Sequence, residues 1–151
     1  MKEILIASDH GGFRLKEKIK ASLKNKGLKV KDLGPYNDKR CDYPRYAALL
    51  AREISRGTFK RGILICKSGI GNSIVANRFP AVRAALCHNV KTARLSREHN
   101  DSNILALGSM FVNPLLADKM VSVWLKTEFQ GGRHQKRLNQ IKSIERKIKE
   151  K

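Results

Sequence analysis

Residues Gly62 to Ser73 read Gly-Ile-Leu-Ile-Cys-Lys-Ser-Gly-Ile-Gly-Asn-Ser, an apolar run that passes directly into a glycine-rich turn with Cys66 at the junction. A strand such as Ile63-Leu64-Ile65, with no polar face, must be covered on both sides, which is the situation inside a parallel sheet flanked by helices. Gly69 and Gly71 allow backbone to approach a ligand closely. A helix opening near Asn72 or Ser73 would turn free amides and its positive dipole end toward an anion, and would favour a thiolate at Cys66. Cys66 is therefore a candidate base or nucleophile. Its alternative is a small, inert core residue at the end of a strand.

The rest of the chain repeats the same alternation of short apolar runs and amphipathic segments, which specifies βαβ units. Five strands are expected, over Glu3 to Ala7, Leu28 to Leu33, Gly62 to Cys66, Arg83 to Leu86 and Asn103 to Leu107. Between them, Leu15, Ile19 and Leu23 recur at a spacing of four, as do Tyr46, Leu50 and Ile54, so each helix offers one apolar stripe to the sheet. Pro114 suits the first turn of a helix running through Trp124, and Gly131-Gly132 ends it. A final amphipathic helix, about 132–148, carries Leu138, Ile141, Ile144 and Ile148 along one side. The expected fold is α/β, a three-layer α/β/α, Rossmann-like arrangement with a five-stranded parallel sheet and an extra C-terminal helix.

A length of 151 residues suits one domain spanning 1–151. The longest apolar runs are far short of the roughly 18 residues that suggest a membrane span, and Asp9 and His10 end the first run too early for a secretory signal. Three cysteines, odd in number and without a CxxC pair, argue against a disulfide framework or a structural zinc site and point to a reducing cytosol. A net charge of +19 raises nucleic acid as a partner. The basic residues, however, crowd two helical stretches, Arg14 to Lys31 and Arg133 to Lys151, where they alternate with core positions and have few aromatics among them for base stacking. Solvated helix faces that steer anionic substrates are the simpler reading.

In open α/β sheets, ligands bind beyond the carboxyl ends of the strands. The first strand runs into Ser8-Asp9-His10-Gly11-Gly12, the third into the Cys66 turn, and His99-Asn100-Asp101 precedes the fifth. An acid, two histidines, a thiol and an anion cradle would suit a small phosphorylated ligand, although Asp9 also serves as a helix cap and Asn100 as a turn former. Three common phosphate motifs fail on residue identity. A Walker A loop has Gly-Lys-Ser where this chain has Cys66-Lys67-Ser68, a cysteine phosphatase loop places arginine where Asn72 stands, and GxGxxG ends at Ile74.

Taken together, Ser8-Asp9-His10-Gly11-Gly12, Asp42-Tyr43-Pro44, Gly62 to Cys66, Ser68-Gly69-Ile70-Gly71, Ala76-Asn77, Arg83-Ala84-Ala85, His99-Asn100-Asp101 and Gly131-Gly132-Arg133-His134 form an ordered set covering nearly the whole chain. In this set the chain resembles the type B ribose-5-phosphate isomerases and the related galactose-6-phosphate isomerases. The resemblance implies aldose-ketose isomerisation of a sugar phosphate without metal or organic cofactor. It implies Cys66 as proton-transfer base, Ser68 as proton relay, and backbone amides from Ser68 through Gly69, Ile70 and Gly71 to Asn72 around the enediolate. It further implies His99 in ring opening, Asp9, Tyr43 and Asn100 on the sugar hydroxyls, and His10, Arg133 and Arg137 on the phosphate. Dimers or tetramers with shared sites are implied too, which would give the last helix a place on a partner subunit.

Two positions depart from the family pattern. Lys67 stands where relatives usually have glycine, and Met110 where they have an arginine that helps hold phosphate. If the backbone at 67 needed positive φ, the lysine would strain the cradle. A cation gained at 67 for one lost at 110 is the compensating alternative, and a solvent-facing Lys67 with a packing Met110 is the bland one. Ribose 5-phosphate and ribulose 5-phosphate are the expected substrate pair, with allose or galactose 6-phosphate as the alternative. A cysteine-phosphorylated carrier and a catalytically impaired basic binding protein are the competing classes.

Overall fold

The computed structural model of the chain describes residues 3–151. All five apolar runs become strands: Ile4–Ser8 (β1), Val30–Asp32 (β2), Gly62–Cys66 (β3), Ala84–Leu86 (β4) and Ile104–Gly108 (β5). They pair in parallel in the order β2-β1-β3-β5-β4. Every residue of the three central strands is buried. The two edge strands pair on one side only, and they are shorter than the sequence implied. Leu28 does not enter β2, because its amide bonds Leu23 O at 3.0 Å and closes the preceding helix.

Six helices follow in chain order: Phe13–Asn25 (α1), Tyr43–Ser55 (α2), Ile70–Ala76 (α3), Val90–Glu98 (α4), Pro114–Lys126 (α5) and Arg133–Lys149 (α6). The two-residue period of the strands divides the core into two layers. Ile63 and Ile65 face Leu15, Ile19 and Leu23 of α1 and Val121 and Trp124 of α5, whereas Leu64 faces Leu50, Ala51 and Ile54 of α2. This is the expected three-layer fold, with helices on both faces of the sheet. The helix after the Cys66 turn begins at Ile70 rather than near Asn72 or Ser73. Gly69 takes φ 79°, so the chain reverses within one residue and the helix starts sooner.

Lys16 and Asp32 form an ion pair inside the fold. Lys16 on α1 is fully buried, and its Nζ donates to both carboxylate oxygens of Asp32 at 2.8 Å and to Pro35 O. Lys20 donates to the same carboxylate at 2.7 Å. Buried charge survives only when paired and hydrogen-bonded in this way. The pair ties α1 to the end of β2 and fixes the start of the loop that leads to α2.

Candidate active site

The carboxyl ends of β1 and β3 open into a cleft of about 620 Å³ lined by Asp9, His10, Tyr43, Cys66, Lys67, Ser68 and Gly71. Cys66 is the last residue of β3 and is 5% exposed. Gly69 N donates to its sulfur at 3.1 Å. The next two segments pin the turn: Ser109 N bonds Cys66 O at 2.9 Å, and Met110 N bonds Lys67 O at 3.0 Å. Ser68 Oγ accepts from Ile70 N at 3.2 Å. Among the described residues, the Gly71 and Asn72 amides, in the first turn of α3, have no protein acceptor.

The two glycines have separate tasks. Gly69 supplies the left-handed residue, and a Cβ there would also press on Leu86 and on the backbone at Leu107 and Gly108. Gly71 makes room for Tyr43, whose ring carbons would lie 2.5 Å from a Cβ at that position. Tyr43 thus rests against the opening turn of α3 beside Cys66. Asp9 does cap its turn, since Oδ1 accepts from Gly12 N at 3.0 Å. The second carboxylate oxygen has no hydrogen-bond partner among the described residues. His10 Nδ1 lies 3.0 Å from Cys41 O and 3.2 Å from Cys41 N, which holds the ring at the cleft rim in either tautomer.

Lys67 does not take positive φ, so the strain considered from sequence is absent. Its stem lies across Gly11, with Cγ 2.5 Å from where a Cβ of that glycine would sit, and the side chain lines the cleft. Met110 is 70% exposed. Asp38 and Arg40 also line the cleft and were not singled out from sequence. Their signal was positional: they lie in the polar segment that follows β2, at the same sheet edge as Asp9 and Cys66. Two buried polar atoms nearby in sequence, Ser8 Oγ and Asn72 Nδ2, have no partner among the described residues.

His99, Asn100, Arg133 and Arg137 do not join this cleft within one chain. His99 caps the end of α4 and precedes β5, so it lies at the amino edge of the sheet. Cys66 is level with Gly108 and Gly62 with Ile104, so the strands alone separate the two edges by about 13 Å, four rises of roughly 3.3 Å. At that far edge His99 stacks on His134, with ring centroids 4.3 Å apart, and exposed Arg133 and Arg137 flank the stack at the start of α6. Burial, then the neighbouring charges of His99, Arg133 and Arg137, hold His134 below the ordinary imidazole range. No group of three or more His, Cys, Asp and Glu side chains placed to hold a metal ion occurs among the described residues. No helix among them is long and apolar enough to cross a membrane.

Comparison with known proteins agrees with this architecture. A family model described as ribose/galactose isomerase matches residues 4–141. Ribose-5-phosphate isomerase B of Escherichia coli K12 is 45% identical over 147 residues, covering 97% of this chain and 99% of that protein. The structure of ribose-5-phosphate isomerase B from Clostridium thermocellum superposes with a TM-score of 0.95 at 48% identity, covering 97% of this chain and 99% of the other. That of the Mycoplasma genitalium ribose-5-phosphate isomerase B, solved with bound ribulose 5-phosphate, gives 0.91 at 44% identity over 95% and 96% of the two chains. With the sheet order, the thiol-bearing turn and matches of this extent, the chain belongs to the ribose/galactose isomerase family.

Proposed function

We propose that this protein interconverts ribose 5-phosphate and ribulose 5-phosphate through an enediolate, with Cys66 as the proton-transfer base. The observation that carries the reading is the Cys66 sulfur, held by the Gly69 amide in a polar cleft beside the unpaired amides of Gly71 and Asn72. A base at C2 and donors at the developing oxyanion are what this reaction requires. The thiolate takes the C2 proton of the open-chain aldose, the C1–C2 double bond forms, and the O1 carbonyl becomes an oxyanion. The unpaired amides of Gly71 and Asn72 stabilise that charge, while those of Gly69 and Ile70 hold the Cys66 sulfur and Ser68 Oγ in place. Ser68 moves a proton between O1 and O2, and the thiol returns its proton to C1, leaving the ketone at C2.

Asp9 and Tyr43 orient the hydroxyls, and His10 binds the phosphate. The remaining groups come from a second copy of the chain. His99 opens the ring, Asn100 meets a hydroxyl, and Arg133 and Arg137 clamp the phosphate. A two-fold arrangement placing the amino edge of one sheet over the carboxyl edge of the other would complete two such sites at once. It would also cover Ile70 and Ile74 on α3 and the α6 stripe of Ile141, Ile144 and Ile148, which are 50–68% exposed in the isolated chain. We read residues 1–151 as a single domain whose last helix packs on that copy. Its three cysteines are free, as a cytoplasmic enzyme's would be.

The substrate is tested by comparing kcat/KM for ribose 5-phosphate with that for allose and galactose 6-phosphates. A preference of at least about tenfold for the five-carbon sugar is expected, equivalent to roughly 1.4 kcal/mol. A preference for either six-carbon sugar would reassign the substrate.

Site sharing has its own test. Cys66→Ala and His99→Ala variants are each expected to be inactive alone, yet mixing them under subunit exchange regenerates one intact site per mixed dimer. Recovery of about a quarter of wild-type activity is the statistical expectation for random pairing into dimers. No recovery, with exchange demonstrated, would place both residues in one subunit's site.

Lys67 supplies the cation that Met110 does not. The Met110 amide bonds the Lys67 carbonyl, so the two positions adjoin. Lys67→Gly is expected to raise KM for the sugar phosphate about fivefold, the loss of about 1 kcal/mol from a partly solvated charge contact. An unchanged KM would remove Lys67 from phosphate binding.

A further inference from the structure

At the amino edge of the sheet, away from Cys66, lies a second cleft of about 430 Å³ lined by Lys60, Arg61, Arg83, Arg97 and Asp101, with Phe59 on its apolar wall. We propose that this cleft is a second anion site that takes a phosphate dianion, free or carried by a small ester. The cleft holds uncompensated positive charge. Four cations face a single carboxylate, and that carboxylate is already committed: Arg97 Nη1 donates to Asp101 Oδ1 at 2.7 Å, and Arg83 Nη2 approaches Oδ2 at 3.4 Å. Arg97 is 4% exposed and also donates from Nη1 to Ser102 O and from Nε to Thr127 O, while Arg83 holds Asn100 O and Asp101 O. Those two arginines therefore have a structural task, fixing the loop between α4 and β5.

Arg61 has no such task. Among the described residues its side chain makes a single hydrogen bond, a long one from Nη1 to Trp124 O at 3.3 Å, and no ion pair. Its guanidinium stacks over the Trp124 ring at 5.3 Å, which fixes the group at the cleft while leaving most of its five donors unused. Burial, followed by repulsion from Arg97, pulls Arg61 down to about 10, and Asp101 offsets this only in part. A half-buried guanidinium beside a like charge is costly unless an anion joins it. A phosphate dianion supplies acceptors for the free donors of Arg61 and for Lys60 at the rim, and its charge suits the local excess. The cleft is larger than phosphate alone requires, so a short organic group would lie along Phe59 and Ile54.

The test is titration of the full chain with inorganic phosphate, and separately with glycerol 3-phosphate, followed by amide NMR shifts against sodium chloride at matched ionic strength. Shifts of Gly57, Phe59, Lys60, Arg61 and Arg83 report this cleft, and those of Lys67 to Asn72 report the catalytic one. Saturable shifts in the first group are expected with both probes. They should weaken about tenfold in Arg61→Gln, a loss typical of one charge-assisted contact. Lys60→Glu alters an exposed residue without touching the core and should weaken them about threefold or more, so the test survives if Arg61→Gln fails to fold. Shifts confined to Lys67–Asn72, shifts reproduced by chloride, or binding unchanged in Lys60→Glu would each overturn the proposal.

Discussion

Replacement of Cys66 by alanine is expected to lower kcat for isomerisation by about 10³-fold while leaving KM within about threefold of the parent, because a positioned base acts in the transition state rather than in binding. The fold should tolerate the change. Cys66 ends β3 at the cleft floor, its side chain is small, and the backbone bond from Ser109 N to Cys66 O does not depend on the sulfur. Cys66→Ser is the sharper variant, since a hydroxyl retains the contact with Gly69 N but is a far weaker acid than a thiol. It should be nearly as inactive as alanine. Activity above about a tenth of wild type in either variant would assign the base elsewhere.

Asp32→Asn is expected to destabilise the protein by about 3–5 kcal/mol, the usual cost of removing one partner from a buried ion pair. The loss falls on Lys16, which is fully buried and would keep its charge facing neutral acceptors, Pro35 O and the new amide oxygen, with the Glu17 carboxylate no nearer than 3.8 Å. Lys16→Met should cost less, because it removes the buried charge together with its need, and Lys20 still holds Asp32 at 2.7 Å. Denaturant unfolding of the three proteins compares these values. A cost below about 1 kcal/mol for Asp32→Asn would show that the pair is solvated.

The same carboxylate predicts part of the acid limb of stability. Burial alone would raise Asp32, but hydrogen bonds from Lys16, Lys20 and Gly34 N outweigh it and hold the carboxyl below its ordinary 3.8. The folded-state value lies below the unfolded one. Its contribution is therefore complete above about pH 4 and is lost as pH falls through the lower folded value. Asp32→Asn should remove that portion of the acid-induced loss.

The central strands and the fold class were legible because a parallel sheet buries both faces of its inner strands, so Ile4 to Ala7, Ile63 to Ile65 and Ile104 to Leu107 carry no competing pattern. The edge strands were less legible. Leu28 and Val30 look alike in sequence, and only the hydrogen bond from Leu28 N to Leu23 O gives the first to a helix end. Within the site, residues that directly follow a strand, such as Asp9, His10 and Cys66, could be placed from order alone. Tyr43 could not, since its position depends on the missing side chain of Gly71. His99 precedes a strand rather than following one, so order along the chain does not bring it to Cys66. Topology puts those two kinds of position at opposite edges of the sheet.

On the proposed mechanism this chain moves a proton at C2 of ribose 5-phosphate with Cys66 as the base. Incubation with ribose 5-phosphate in deuterated water, followed by NMR of the sugar, tests it most directly. Ketose formation with deuterium entering at C2 of recovered aldose is predicted for the wild-type protein, and neither for Cys66→Ala. Absence of both with folded wild-type protein, or C2 exchange that persists in Cys66→Ala, would contradict the account.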